Sequence, residues 1–167
     1  YKNVDIVSEI QKLPFASHSV DCVVNIAVLE HIEEPENAVS EIHRILRDGG
    51  VAYIYVPFMM GFHASPHDYT RWTISGLKIL FKKFNVDYIR CVGPTSALLW
   101  TFQEWLANLL GFNNQRMHDF VLLVTMLLTW PIKLIDFILG KNKFAGNISA
   151  GFLFKLIKDH PDDLTPL

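Results

Sequence analysis

Between Val20 and Val92 short apolar runs alternate with amphipathic helical stripes, and this alternation restricts the possible folds more than any other feature of the chain. Val20 to Ile26 (VDCVVNI) is a β-branched run of the length expected for a strand buried on both faces, and Val4 to Val7 is a shorter apolar run of the same kind. Pro35 to Leu46 carries apolar residues at Ala38, Val39, Ile42, Ile45 and Leu46, one face of a helix, with Pro35 suited to its first turn and Gly49-Gly50 to its stop. Val51 to Val56 then reads as a strand, Thr73 to Phe84 as a second amphipathic helix and Val86 to Val92 as a further strand. The βαβαβ order predicts an α/β fold with a mostly parallel sheet.

Composition narrows the partners. A chain of 167 residues, half of them hydrophobic, can bury one sizeable core. Fifteen basic and 17 acidic side chains leave a formal charge of -2 and no Lys/Arg cluster, which argues against a nucleic-acid partner. Cys22 and Cys91 each lie inside an apolar run, so reduced, buried thiols in a reducing cytosol are expected rather than a disulfide framework. The first residue is Tyr1, and the strand-like pattern begins at once, so the sequence is expected to start in the middle of a domain.

Past Gly93 the texture changes. Leu98, Leu99, Phe102, Trp105, Leu106, Leu109 and Leu110 form a wide apolar stripe opposite Thr101, Gln103, Glu104 and Asn108, and Phe120 to Leu139 is apolar almost all round apart from Pro131, Lys133 and Asp136. Ser149 to Ile157 reads as a final strand, and an acidic tail at 159–167 is expected to fray.

Three phrases in this order and spacing carry a resemblance: LPFASHSVDCVV (Leu13 to Val24), VLEHIEEP (Val28 to Pro35) and EIHRILRDGGVAYIYVP (Glu41 to Pro57). They resemble class I S-adenosylmethionine-dependent methyltransferases of the type 11 group, and FHASPHDYTRWT (Phe62 to Thr73) resembles a loop in one branch of them. The resemblance implies an incomplete Rossmann-like methyltransferase domain over 1–158, with a C-terminal antiparallel hairpin interrupted by a helical apolar insertion at 94–147. It also implies S-adenosylmethionine as cofactor. Glu9 then falls where the resembling enzymes accept a hydrogen bond from the adenine amino group, with Ile10 beside the ring and Leu13 and Phe15 as core plugs. Asn25 falls near the carboxyl end of its strand, where open α/β sheets bind ligands, to meet the methionine portion; Ala27 and His31 approach the same pocket. Glu30 is either a lining residue or a helix-start acid. The chain departs from the family pattern at Glu9 (usually Asp), Val20 (usually Phe) and Asp48 (usually Pro).

The FHASPHDYTRWT loop supplies His63, His67 and Asp68 as candidates to deprotonate an acceptor, and Tyr69 and Arg71 to bind it. A histidine titrating near neutrality suits that task, and Asp68 could orient it. The alternative reading is a polar loop stapled by Asp68 to Arg71 and by hydrogen bonds from Tyr69. His63, His67 and Asp68 lack a fourth ligand and a recognised spacing for a metal site, so none is assigned.

The glycine-rich turn and ribose-binding acid of such enzymes would lie upstream of Tyr1 and add roughly sixty residues, two βα units. The chain as given is therefore expected to be inactive alone, to expose the Val20 to Ile26 edge and to hold 1–8 poorly. The apolar arm reads as a lid over the acceptor site or as a segment in a membrane interface. A spanning helix fits less well, because the uncharged run Phe120 to Ile132 is short of about 20 residues. The function expected is methyl transfer to a small-molecule acceptor, hydrophobic or lipid-linked, by a cytoplasmic protein at most peripheral to the membrane. Two alternatives are a catalytically inactive methyltransferase-like module that binds a membrane or a partner, and a nicotinamide-dependent oxidoreductase. The LPF, LEH and GG phrases argue against the last of these.

Overall fold

A computed structural model describes residues 4–64 and 66–159. Its elements are β1 (Val20–Ile26), α1 (Pro35–Ile45), β2 (Leu46–Pro57), α2 (Ile74–Leu80), β3 (Asn85–Val92), α3 (Pro94–Gly111), α4 (Gln115–Thr129), α5 (Asp136–Leu139) and β4 (Gly151–Ile157). The strands form one sheet in the order β1-β2-β4-β3. β1 and β2 are parallel, as a helical crossover through α1 requires. β4 runs antiparallel to β2: Gly49 N–H donates to Lys158 O at one end and Phe58 N–H to Ala150 O at the other. It is also antiparallel to β3, through Ala150 N–H to Val92 O and the Lys155–Asp87 ion pair of 2.7 Å.

The chain divides into two compact units. The first holds the described residues of Tyr1–Val56, Ala64–Ile89 and Leu153–Leu167; the second holds Pro57–His63 and Arg90–Phe152. In the first, α1 buries Ala38, Val39, Ile42 and Ile45, the stripe read from the sequence. Phe81 packs edge-on against Phe154 of β4 at 5.2 Å, and both rings are fully buried.

Several expectations are corrected. The double glycine does not stop α1, which ends at Ile45, and β2 begins at once with Leu46. The glycines instead make a bulge: the register jumps from Val20↔Leu46 to Cys22↔Val51, and Gly49 sits at φ +73. At Gly50 a Cβ would meet Arg47 O at 2.7 Å, so the bulge tolerates no side chain there. The second helix is shorter than expected, Ile74–Leu80, capped at Thr73, whose Oγ1 accepts from Gly76 N–H at 3.2 Å.

Residues 4–9 are exposed and form no strand, because no described element offers them a ladder; Tyr1–Asn3 and the tail residues 160–167 lie outside the described residues. β1 is the sheet's edge strand, and it is not buried on both faces: Val24 is 64% exposed, and Cys22 is an exposed free thiol rather than a buried one. Phe15 is likewise exposed. The LPF turn is held by α1 instead, with Glu41 Oε1 accepting from Leu13 N–H at 2.8 Å and Arg44 Nη2 donating to Phe15 O at 2.9 Å.

In the second unit α4 packs back against α3. α3 opens on Gly93, which has no capping side chain; Asp136 supplies the cap from a distant turn. Its carboxylate accepts from Thr95 N–H (2.6 Å), Ser96 N–H (3.2 Å) and Ser96 Oγ (2.7 Å). Partial burial pushes this carboxyl upward, yet the hydrogen bonds from Ser96 and Thr95 outweigh it and hold the pKa below its ordinary value. A carboxyl lowered on folding contributes stability that is complete above its unfolded pKa and lost as pH falls through the folded one. Asp136→Ala is expected to lower the unfolding free energy by about 2 kcal/mol at neutral pH, the difference vanishing in acid. Urea titrations followed by circular dichroism at neutral and acid pH measure it, and equal stability at neutral pH would contradict the capping role.

Candidate active site

The first unit gathers most of the chemistry-bearing residues around the carboxyl ends of β1 and β2. Asn25, in register with Ile54, is buried, and among the described residues its Oδ1 has no hydrogen-bond partner. A buried acceptor left unpaired costs about 1–3 kcal/mol, so its retention points to a donor that belongs there. Directly after the strand the chain turns through Ala27 at φ +53, a left-handed conformation unusual for alanine, with its N–H still paired to Tyr55 O at 3.0 Å.

The turn leads into a short helical segment, Leu29–His31, that buries Glu30 completely. Sequence reading left Glu30 between pocket and helix start; in the structure it is the acid in the first turn of this segment, with its side chain fully buried. Its charge reaches two neighbours. Tyr55 is held above its ordinary pKa first by burial and then by Glu30. Arg71 is raised first by its hydrogen bond to Asp68, against burial, and then by the charges of Asp68 and Glu30. Tyr55 was absent from the sequence-based candidates; its place near the carboxyl end of β2, the fifth residue of VAYIYV, was the available signal.

His31 Nδ1 lies 2.5 Å from His67 O. A carbonyl only accepts, so Nδ1 carries the proton, and in the neutral ring Nε2 is the basic atom. That atom is 3.8 Å from Glu30 Oε1, a carboxylate placed to stabilise the imidazolium. The FHASPHDYTRWT loop is thus tied to the LEH turn by its backbone, through His67 O and through Tyr69 N–H, which donates to Glu30 O at 2.8 Å.

The loop's side chains divide. Asp68 is 2% exposed, and both of its oxygens accept from Arg71, at 2.5 and 2.6 Å, the staple that was one of the two readings. His67 is exposed, with its ring tilted on Tyr69 at 5.4 Å. His63 belongs to the second unit, where Nδ1 is 3.0 Å from Gly61 O. Glu9 is exposed on a turn closed by Lys12 N–H to Glu9 O, and Ile10 beside it is half-buried.

Residues 1–54 match the methyltransferase domain family. The matched segment is about a third of the chain. It carries the LPF and LEH phrases, Asn25 and the Glu30–His31 pair. The chain is also similar to a probable S-adenosylmethionine-dependent methyltransferase of Mycolicibacterium smegmatis, 41% identical over 63 residues, covering 37% of this chain and 24% of that protein. Solved structures share the fold. A chain of the complex between the Haloferax volcanii Trm112 methyltransferase activator and the putative methyltransferase superposes with a TM-score of 0.56 and 17% identity, over 93% of this chain and 60% of that one. The [4+2]-cyclase SpnF superposes at 0.55 and 18%, over 91% and 54%. The chain thus spans about a quarter of the curated relative and somewhat over half of these two structures. A cyclase on the same frame shows that the fold does not set the reaction; the site must.

Proposed function

We propose that this chain supplies the cofactor-facing and acceptor-facing part of an S-adenosylmethionine-dependent methyltransferase acting on a small, hydrophobic or lipid-linked acceptor. The buried, unpartnered Asn25 Oδ1 at the carboxyl end of β1, inside the segment that matches the family, carries the reading. An acceptor oxygen there suits the cationic ammonium of the cofactor's methionine portion, and Ala27, at the left-handed turn after the strand, is assigned to the same pocket. The exposed Glu9 and half-buried Ile10 are assigned to the adenine end. When bound, the cofactor brings a methyl group already activated by a sulfonium, so the protein's task is to align the acceptor and exclude water.

His31 is the group best prepared to accept a proton from an acceptor hydroxyl or amine, because Nδ1 is committed to His67 O and Nε2 faces the Glu30 carboxylate. His67 is retained as a second candidate base, with Tyr69 and Arg71 on the acceptor side and Asp68 holding Arg71. The candidacy of His63 rests on the sequence alone.

Calorimetric titration of the protein with S-adenosylmethionine, and with S-adenosylhomocysteine, tests the assignment. Asn25→Ala is expected to weaken both by about tenfold, the value of one charge-assisted hydrogen bond, with the far-UV circular dichroism unchanged. Equal affinity in the folded variant would remove Asn25 from the cofactor site.

A further inference from the structure

The helical unit is built with its apolar side outward. In α3 the buried positions are Ala97, Leu99, Gln103, Ala107 and Gly111, mostly small or polar, whereas Leu98, Trp105 and Leu109 are exposed. α4 buries only Val121 and Thr125 and exposes Leu123, Leu127 and Leu128, the last at 72%. Apart from the buried Leu99 and the half-buried Leu106, the apolar stripe of α3 read from the sequence is therefore exposed. Gln115–Leu139 is long and apolar enough to cross a membrane by length and composition, yet only 11% of its most apolar 18-residue window is buried. A core helix of a water-soluble domain would have most of that window covered.

Several polar side chains of the two helices are bonded within the unit, although Asp119 is exposed and the buried Thr95 Oγ1 and His118 Nδ1 have no hydrogen-bond partner among the described residues. Thr101, Thr125 and Thr129 each donate to the carbonyl four residues earlier, Gln103 Nε2 donates to Thr129 Oγ1 at 2.6 Å between the helices, and Glu104 faces His118 at 3.5 Å. Small residues at the contact, polar groups satisfied internally and large apolar groups outside are what helices need in lipid, where the solvent offers no hydrogen bonds.

Charge complementarity selects the lipid. Lys133, Lys141 and Lys143 are exposed among the apolar side chains after α4, while the one acid between them, Asp136, is spent on the N-terminus of α3. Trp130 is also exposed in this segment, a residue suited to the headgroup level. The uncharged run Phe120 to Ile132, at 1.5 Å per residue, covers about 20 Å, less than the roughly 30 Å hydrocarbon core.

From this geometry we infer that the helical unit seats in one leaflet of an anionic lipid bilayer, its outward apolar side chains among the acyl chains and its lysines at the headgroups. The inference deepens the lipid-linked acceptor proposed above but rests on the helical unit alone.

Flotation of the full chain with vesicles of phosphatidylcholine, and of phosphatidylcholine mixed with phosphatidylglycerol, tests it, with tryptophan quenching by brominated acyl chains as the second readout. Binding to both is expected, stronger for the anionic vesicles, with quenching of tryptophan emission. The double variant Lys141→Gln/Lys143→Gln is expected to lose at least about tenfold in partitioning to anionic vesicles, and little to neutral ones. Leu123→Gln/Leu127→Gln is expected to lose binding to both while keeping its helical circular dichroism. Protein that stays unbound with both vesicle types, or floats without quenching, overturns the inference. So does a discrete oligomer by light scattering that ignores lipid, which would assign the face to a second copy. Cofactor affinity measured without vesicles reads the methyltransferase proposal separately, so either can fail alone.

Discussion

Arg71→Met is expected to lower the unfolding free energy by about 3–5 kcal/mol, the cost of leaving a buried carboxylate without its partner. Asp68 is 2% exposed with both oxygens on the guanidinium, and the charge of Glu30, fully buried, also acts on Arg71. Removing the cation would leave the buried Asp68 carboxylate without the guanidinium and take a nearby positive charge from Glu30. Arg71→Lys should recover only part of the loss, because an ammonium cannot give two parallel hydrogen bonds to one carboxylate. Urea unfolding of the three proteins measures both steps. The series also separates the two readings of the loop: if Asp68 acts mainly on a histidine, Arg71→Met should leave stability within about 0.5 kcal/mol of the parent, the range of ordinary surface changes.

Phe154→Ala should be of similar size, about 3–5 kcal/mol, because the ring is wholly buried and its truncation adds a cavity to the lost transfer energy. Its neighbour is Phe81, just past α2, so the cavity opens where α2 meets the sheet. Phe154→Leu should cost less than half as much, since most of the volume is retained. A loss below about 1 kcal/mol for the alanine variant would mean that the first unit is not packed around this pair. Thermal and urea denaturation, with the slope of the urea transition checked for constancy, decide it.

The alternation of apolar runs and helical stripes was enough to find β1, α1, β2, β3 and β4 in the sequence, because both periods arise from local burial. Bounds failed where conformation at single residues intervened. Gly49-Gly50 reads as a helix stop in any one-dimensional scan, but it makes a bulge, since Leu46 already satisfies the strand register against Val20. Burial of β1 failed for a different reason: a β-branched run states that a strand can be covered on both faces, not which elements cover it. Around the candidate site, the strand pattern placed Asn25 near the carboxyl end of β1 with Ala27 and His31 following, and the structure has them there. Glu30 and Tyr55 were not separable from a helix-start acid and a strand residue, because only folding brings their charges together. For the helical arm the sequence left a lid and a membrane interface open. A stripe at helical spacing carries no sign saying which side faces inward, and here most of the stripe is exposed while Leu99 is buried beside small and polar residues.

The buried ammonium of Lys158, donating to His43 O at 2.9 Å and to Leu46 O at 2.8 Å, joins positions 115 and 112 residues apart across the end of α1. Contacts of such separation form late, since the whole intervening loop must be closed before they contribute. The α3–α4 pair, joined by a short turn, can form much earlier. During synthesis the outward-facing helices would therefore exist before the sheet is complete, and for that interval their exposed apolar side chains favour self-association.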